Sequence, residues 1–111
     1  MPRLIDELSN PEFRTAYVDA LLRTRVCAQM RAMREQRGWS QGDLAKAMGV
    51  PQSTVSRLEN REYGRWSLTT LLRLACVFDV GLVIEFTPYN EFLERASRLT
   101  PDDLKVTPGF V

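Results

Sequence analysis

The sequence predicts a mainly α-helical fold, a bundle of four to five helices with one C-terminal β-strand. Three observations carry this. Apolar residues recur every three or four positions through most of the chain. Helix-starting and helix-ending residues bracket those stretches. The period shortens to two only near residues 82–87. A chain of 111 residues, 44% hydrophobic and 26% charged, is expected to form one domain around one core.

The first helix starts at Asn10-Pro11-Glu12: Asn can cap free N–H groups, Pro fits the first helical position, and Glu suits the positive end of the helix. No Gly or Pro interrupts residues 12–37, and Val18, Leu22, Val26, Met30 and Met33 form an apolar stripe. One long helix or two with a bend would fit, ended by Gly38. Ser40 and Asp43 form a capping-box-like pair opening a second helix, whose Leu44, Ala45 and Met48 face inward and which Gly49 closes. Pro51 restarts the chain, and a third helix over Gln52–Asn60 turns Val55 and Leu58 to the core. After a loop at Arg61–Trp66, Ser67 caps a fourth helix with Leu68, Leu71, Leu72, Ala75 and Phe78 on its apolar face, ended by Gly81. Leu82–Thr87 reads as a strand with Leu82, Ile84 and Phe86 on one face, stopped by Pro88. Asn90–Arg98 reads as a short helix, Thr100-Pro101-Asp102-Asp103 can cap one further turn, and Val106–Val111 is expected to be a loose tail.

Several function classes are excluded. The chain has no His, which removes the commonest general base and metal ligand, and its two Cys cannot by themselves make a four-ligand zinc site. No Gly-rich phosphate loop, HExxH or Cys–His arrangement occurs, so neither an enzyme nor a bound cofactor or metal is expected. Cys27 and Cys76 lie within helical patterns and read as reduced, buried, small apolar residues; neither has a CxxC partner for a redox switch. The N-terminus lacks a secretory apolar core and the best apolar run, 71–86, is broken by Arg73, Asp79, Gly81 and Glu85. The protein is therefore expected in the cytoplasm, away from membranes. The net charge of +1 gives no global argument for nucleic acid.

The local residues do. Over 41–60 two short helices meet at a tight Gly49-Val50 turn, Ala45 permits a close crossing, and Val55 and Leu58 plug the angle between them. This is the signature of a helix-turn-helix. The outer face of the second helix carries Gln52, Ser53, Thr54, Ser56 and Arg57. Such side chains suit base edges in a major groove: Gln pairs with adenine, Arg with guanine, and Ser or Thr with several bases. Residues 12–65 hold ten Arg or Lys against six Asp or Glu, whereas residues 66–111 hold four against six. Arg61 and Arg65 follow the proposed recognition helix, where phosphate contacts are expected. Trp39 and Trp66 read as core or boundary residues.

Gly38–Asn60 resembles the Cro/cI-type (XRE-family) helix-turn-helix of bacterial and phage repressors, through Gly38-Trp39-Ser40-Gln41, Leu44-Ala45 and Ser53-Thr54-Val55-Ser56-Arg57-Leu58-Glu59-Asn60. With flanking helices the resemblance covers residues 20–80. It implies a lambda-repressor-like bundle with residues 51–60 as the recognition helix. It further implies that Gln41 holds a phosphate and braces that helix, that Gln52, Ser53 and Arg57 read bases, that Asn60 approaches the DNA backbone, and that Arg34 pairs with Glu59 structurally. Pro51 departs from the usual Ser or Thr cap and offers no capping oxygen, which leaves the helix start open by one residue.

A lone strand leaves its N–H and C=O groups unpaired, and the simplest partner is the same strand from a second copy about a two-fold axis. The expected organisation is thus a DNA-binding bundle over 1–81 and a dimerising strand, short helix and tail over 82–111, together one compact unit. Leu82, Ile84 and Phe86 are the dimerisation candidates. Two recognition helices in a homodimer would read a palindromic operator in double-stranded DNA, with half-sites ~34 Å apart. The expected function is a dimeric repressor that is nucleoid-associated when bound. The layout and Ser67-Leu68-Thr69-Thr70 also resemble HipB- and HigA-type antitoxins, which implies a toxin partner as an alternative.

Overall fold

A computed structural model describes residues 6–63 and 65–110. Residues 1–5, expected in the N-terminal segment, Gly64 of the 61–66 loop and Val111 of the tail lie outside the described residues.

Helix α1 spans Pro11–Gln36 without interruption, so a single helix of roughly 39 Å replaces the bent alternative. Asn10 caps it as expected, its Oδ1 accepting from the N–H groups of Glu12 at 2.9 Å and Phe13 at 3.4 Å. Only the C-terminal half of its stripe is core: Cys27, Met30 and Met33 are buried, Val18 is half-buried and Leu22 is exposed. The bundle reaches only that half; the start of α1 is flanked by a later helix, where Arg14 lies over the Tyr89 ring at 5.3 Å.

Helix α2, Gln41–Met48, opens on the full capping box: Asp43 N–H donates to Ser40 Oγ at 3.0 Å and Ser40 N–H donates to Asp43 Oδ2 at 2.8 Å. It closes on left-handed Gly49, φ +72°, where a side chain would be strained. Helix α3 is Gln52–Leu58 with Pro51 at the cap position and no side-chain cap. It ends two residues earlier than expected. Glu59 is its C-cap, and Asn60 lies beyond it with its Oδ1 accepting from Glu62 N–H at 2.9 Å. That local turn competes with continued helix.

Helix α4, Leu68–Phe78, is capped by Ser67 and buries Leu74 and Phe78. Leu71 and Ala75 are half-buried, whereas Leu68 and Leu72 of the expected face point to solvent. The helix stops at Asp79 rather than Gly81, in a left-handed conformation with φ 57°. Asp tolerates that region better than most residues. The core assembles between these elements: Leu44 and Val55 are fully buried, Phe78 and Met30 nearly so, and Trp39 stacks on Phe78 with centroids 5.8 Å apart. Trp66 is half-buried beneath Arg23. Both tryptophans thus lie at the core or its boundary.

Residues 82–87 form no strand. The expected ladder needs a second strand, and the described residues provide none. Leu82, Val83, Ile84 and Phe86 are all exposed, so the expected one-sided alternation is absent as well. Helices α5, Tyr89–Ala96, and α6, Pro101–Leu104, follow, the latter with a Thr100–Asp103 capping box. The tail is not loose. Val106 N–H donates to Gln36 Oε1 at 3.1 Å, Arg37 donates to Val106 O at 3.3 Å, and Gly109 N–H donates to Asp79 O at 2.8 Å. Cys76 is exposed, contrary to expectation, whereas Cys27 is buried with its thiol directed at Leu58 O, 3.6 Å away.

The Ser40 hydrogen bonds hold the Asp43 carboxyl below the usual carboxylate range. Its contribution to stability is therefore complete above the ordinary Asp value of about 3.9 and is lost as pH falls through the lower folded value. The stability gap between wild type and Asp43→Asn, followed by urea unfolding, is expected to be constant near neutrality and to shrink in the acid limb. A gap that persists unchanged into strong acid would contradict the capping role.

Candidate nucleic-acid interface

The proposed reading helix is fixed from behind. Val55 and Leu58 are buried in one cluster with Met30 and Met33 of α1 and with Leu44 and the small Ala45 of α2, on which α3 packs. Gln52 reaches back over the first turn of α2: a Cβ on Gly42 would lie 3.7 Å from its Oε1. Behind the C-terminal end of α3, the buried Glu59 carboxylate gathers three elements. Arg34 of α1 grips it with a fork, Nε to Oε2 at 2.7 Å and Nη2 to Oε1 at 3.0 Å. Gln41 of α2 donates from Nε2 to Oε1 at 3.3 Å. Arg34 also donates from Nη1 to Trp39 O at 2.9 Å, which ties in the α1–α2 turn. Donating hydrogen bonds to the Glu59 carboxylate pushes the Arg34 guanidinium above its ordinary value, against the opposing effect of burial.

This clamp leaves the opposite face open. Gln52, Ser53, Ser56 and Arg57 are exposed, and none of their side chains forms a hydrogen bond among the described residues. Four short or forked polar side chains on less than two turns of helix make one face with donors and acceptors free. Thr54 is half-buried at its edge. Gln41 is half-buried and engaged with Glu59, so it joins the clamp and borders the face. Asn60 is exposed with its carbonyl oxygen held in the local turn. Arg61 is exposed but rests against α1, donating to Thr24 Oγ1 at 3.4 Å.

The structure adds contacts that the sequence left unassigned. Arg31, one turn before Arg34, approaches Glu59 Oε1 at 3.8 Å. Arg73 donates to Met48 O and so caps the C-terminus of α2. The i, i+3 relation of Arg31 to Arg34 was the available signal for the first; the second joins residues 25 positions apart and has no local signal. Burial pushes the Cys27 thiol up, away from the reactive thiolate. Among the described residues no group of three or more Cys, Asp or Glu side chains is placed to hold a metal, and no helix is long and apolar enough to cross a membrane.

Comparison with known proteins agrees with this geometry. A family described as helix-turn-helix matches residues 30–84. The chain is 33% identical over 61 residues to Antitoxin HipB of Escherichia coli O6:H1, covering 55% of this chain and 64% of that protein. It is 31% identical over 61 residues to Antitoxin HipB of Escherichia coli (strain K12), covering 55% and 68%. It is also 31% identical over 75 residues to an HTH-type transcriptional regulatory protein of Pyrococcus furiosus, covering 68% of this chain and 24% of that one. The chain thus belongs to the helix-turn-helix family of the XRE type. It spans about two thirds of the length of the HipB relatives, 64% and 68%. No solved structure matches it.

Arg34→Ala strands a buried carboxylate. It is expected to cost about 3–5 kcal/mol in urea unfolding. A loss below about 1 kcal/mol, the range of an exposed pair, would show that Glu59 is not held by Arg34.

Proposed function

We propose that the protein is a sequence-specific DNA-binding transcriptional regulator acting as a homodimeric repressor. The observation that carries this is the free polar face of α3, Gln52, Ser53, Ser56 and Arg57, on a helix clamped from behind through Glu59. Arg57 is suited to guanine and Gln52 to adenine, with Ser53, Thr54 and Ser56 completing base and groove contacts. Gln41, Asn60 and Arg61 flank that helix as phosphate contacts that set its register. The repressor occupies operator DNA and excludes polymerase, in the cytoplasm and on the nucleoid.

Dimerisation runs through residues 82–87. Leu82, Ile84 and Phe86 are 40%, 64% and 106% exposed in the single chain. An antiparallel copy of this segment covers them and pairs its backbone. Residues 1–81 then form the DNA-binding bundle, and 82–111 the dimerising segment, short helices and tail of the same compact unit. Two recognition helices about the two-fold axis read a palindrome.

The match to proteins named Antitoxin HipB favours a second reading, in which the same chain neutralises a toxin and represses its own operon. Co-purification of a stoichiometric protein partner that inhibits growth when expressed alone distinguishes this from a stand-alone repressor.

Selection of bound sequences from random duplexes is expected to yield a palindrome. On that site Arg57→Ala costs about 1–3 kcal/mol and relaxes one base position per half-site. Unchanged affinity and preference would refute the assignment of α3. Sedimentation is expected to give twice the 12.7 kDa chain mass, and Phe86→Glu to give the single chain with its helical content intact. A wild type that sediments only as one chain at micromolar concentration rules out the dimer.

A further inference from the structure

Arg31 has a charge that the fold does not need. Glu59 is already complete. Its Oε2 accepts Arg34 Nε at 2.7 Å, and its Oε1 accepts Arg34 Nη2 at 3.0 Å and Gln41 Nε2 at 3.3 Å. Arg31 Nε stands at 3.8 Å from Oε1, beyond hydrogen-bond reach. One carboxylate balances one guanidinium, so this pair of arginines leaves a surplus positive charge. The surplus lies with Arg31, because its side chain is 58% exposed against 12% for Arg34. Glu35 lines the same shallow groove as Arg31 and acts through space on Arg34, but it forms no ion pair with either among the described residues, so no direct partner holds the Arg31 guanidinium.

The place of this charge is informative. Thr24 and Arg31 are two turns apart and share one face of α1. That face runs along the exit of the recognition helix: Thr24 meets Arg61, Cys27 meets Leu58 O, and Arg31 and Arg34 meet Glu59. Arg31 therefore approaches the same Glu59 oxygen as Gln41 at the exit of α3, and shares its face of α1 with Thr24, which Arg61 meets.

We infer that Arg31 is a DNA-phosphate contact, exchanging its loose approach to Glu59 for the nucleic-acid backbone beside Gln41. This rests on the DNA-binding reading above. A guanidinium that surrenders no hydrogen bond on leaving Glu59 gains charge-assisted bonds to phosphate, and Arg34 with Gln41 keeps the buried carboxylate satisfied.

The test is the salt dependence of binding to the duplex that the wild type selects from random DNA. Loss of one phosphate contact lowers the slope of log affinity against log salt by about 0.9. Arg31→Gln removes one such contact from each half-site of the palindrome, two in all, and is then expected to lose ~12-fold less affinity than wild type between about 50 and about 200 mM salt. Its base preference and thermal midpoint stay those of the wild type, and Arg31→Lys restores the slope. An unchanged slope in Arg31→Gln, while Arg57→Ala still weakens and relaxes binding, overturns the inference and leaves the DNA-binding reading intact. A lower thermal midpoint with an unchanged slope makes Arg31 a structural partner of Glu59 and equally overturns it. A wild type that selects no sequence, with Arg57→Ala behaving identically, removes both.

Discussion

The buried carboxylate of Glu59 is the point on which the helix-turn-helix half of the molecule depends. It sits at the C-cap of α3, yet its partners come from α1 and from the first turn of α2. Desolvating a charge is expensive, and the Coulomb gain of such a pair largely offsets that cost without adding much net stability. What the arrangement determines is position. Arg34 presents a planar fork that satisfies both carboxylate oxygens in one orientation only, and its remaining Nη1 holds Trp39 O. The end of α3, the middle of the bundle and the α1–α2 turn are thereby referred to one group. A reading helix of seven residues is too short to be stable alone; its direction comes from Val55 and Leu58 beneath it and from Glu59 at its end.

The same network refines the electrostatic argument. Residues 12–65 carry ten basic side chains, but five of them, Arg14, Arg23, Arg25, Arg34 and Arg37, are only partly exposed. Arg37 lies over the Phe78 ring and donates to Met33 O at 2.9 Å, Phe78 O at 2.7 Å and Val106 O at 3.3 Å. Arg25 donates to Arg98 O, and Arg23 to Asp19. Arg37 and Arg25 staple helix ends and the tail to α1, where a fork of donors meets backbone carbonyls, whereas Arg23 pairs with a carboxylate one turn away in α1 itself. The cations that remain exposed in this stretch are Arg31, Lys46, Arg57, Arg61 and Arg65. A local excess of charge therefore overstates how many of its side chains are exposed.

What was legible in the sequence is what local chemistry decides. Asn10, the Ser40–Asp43 box, Gly49 and the Thr100–Asp103 box all act within four residues, and each forms as its residue types require. The helix-turn-helix was legible because close crossing demands a small Ala45 and a left-handed Gly49 at fixed offsets. The Arg34–Glu59 pair followed from family resemblance, since nothing local joins residues 25 apart. Three features were decided at longer range. Helix α4 is apolar around most of its circumference, so its rotation is set by packing against Trp39 and α2, which selects Leu74 and Phe78 and turns Leu68, Leu72 and Cys76 outward. Its end at Asp79 coincides with the Gly109 N–H that binds Asp79 O from 30 residues away. The tail owes its order to Gln36 and Arg37, whose chemistry gives no hint of that partner.

Residues 82–86 carry two deficits at once. Leu82, Val83, Ile84 and Phe86 expose apolar side chains on both sides of the segment. No backbone hydrogen bond outside the helices engages residues 81–87 among the described residues. Either deficit alone has an ordinary cure: apolar exposure can be met by a helix laid across it, and unpaired amides by water. Together, on consecutive residues of high strand propensity, they call for a partner that supplies backbone donors and acceptors in register with apolar side chains. A second copy of the same segment has that composition by identity, and antiparallel pairing about a two-fold axis satisfies both strands at once. The charge pattern agrees, because Glu85 is paired within its own chain to Arg95 at 2.8 Å and so leaves the apolar row without an unpaired charge. The segment that forms no strand in the single chain thus has the composition of one, which is why the dimer proposed above is placed there, where its two-fold symmetry would bring two copies of α3 to one face.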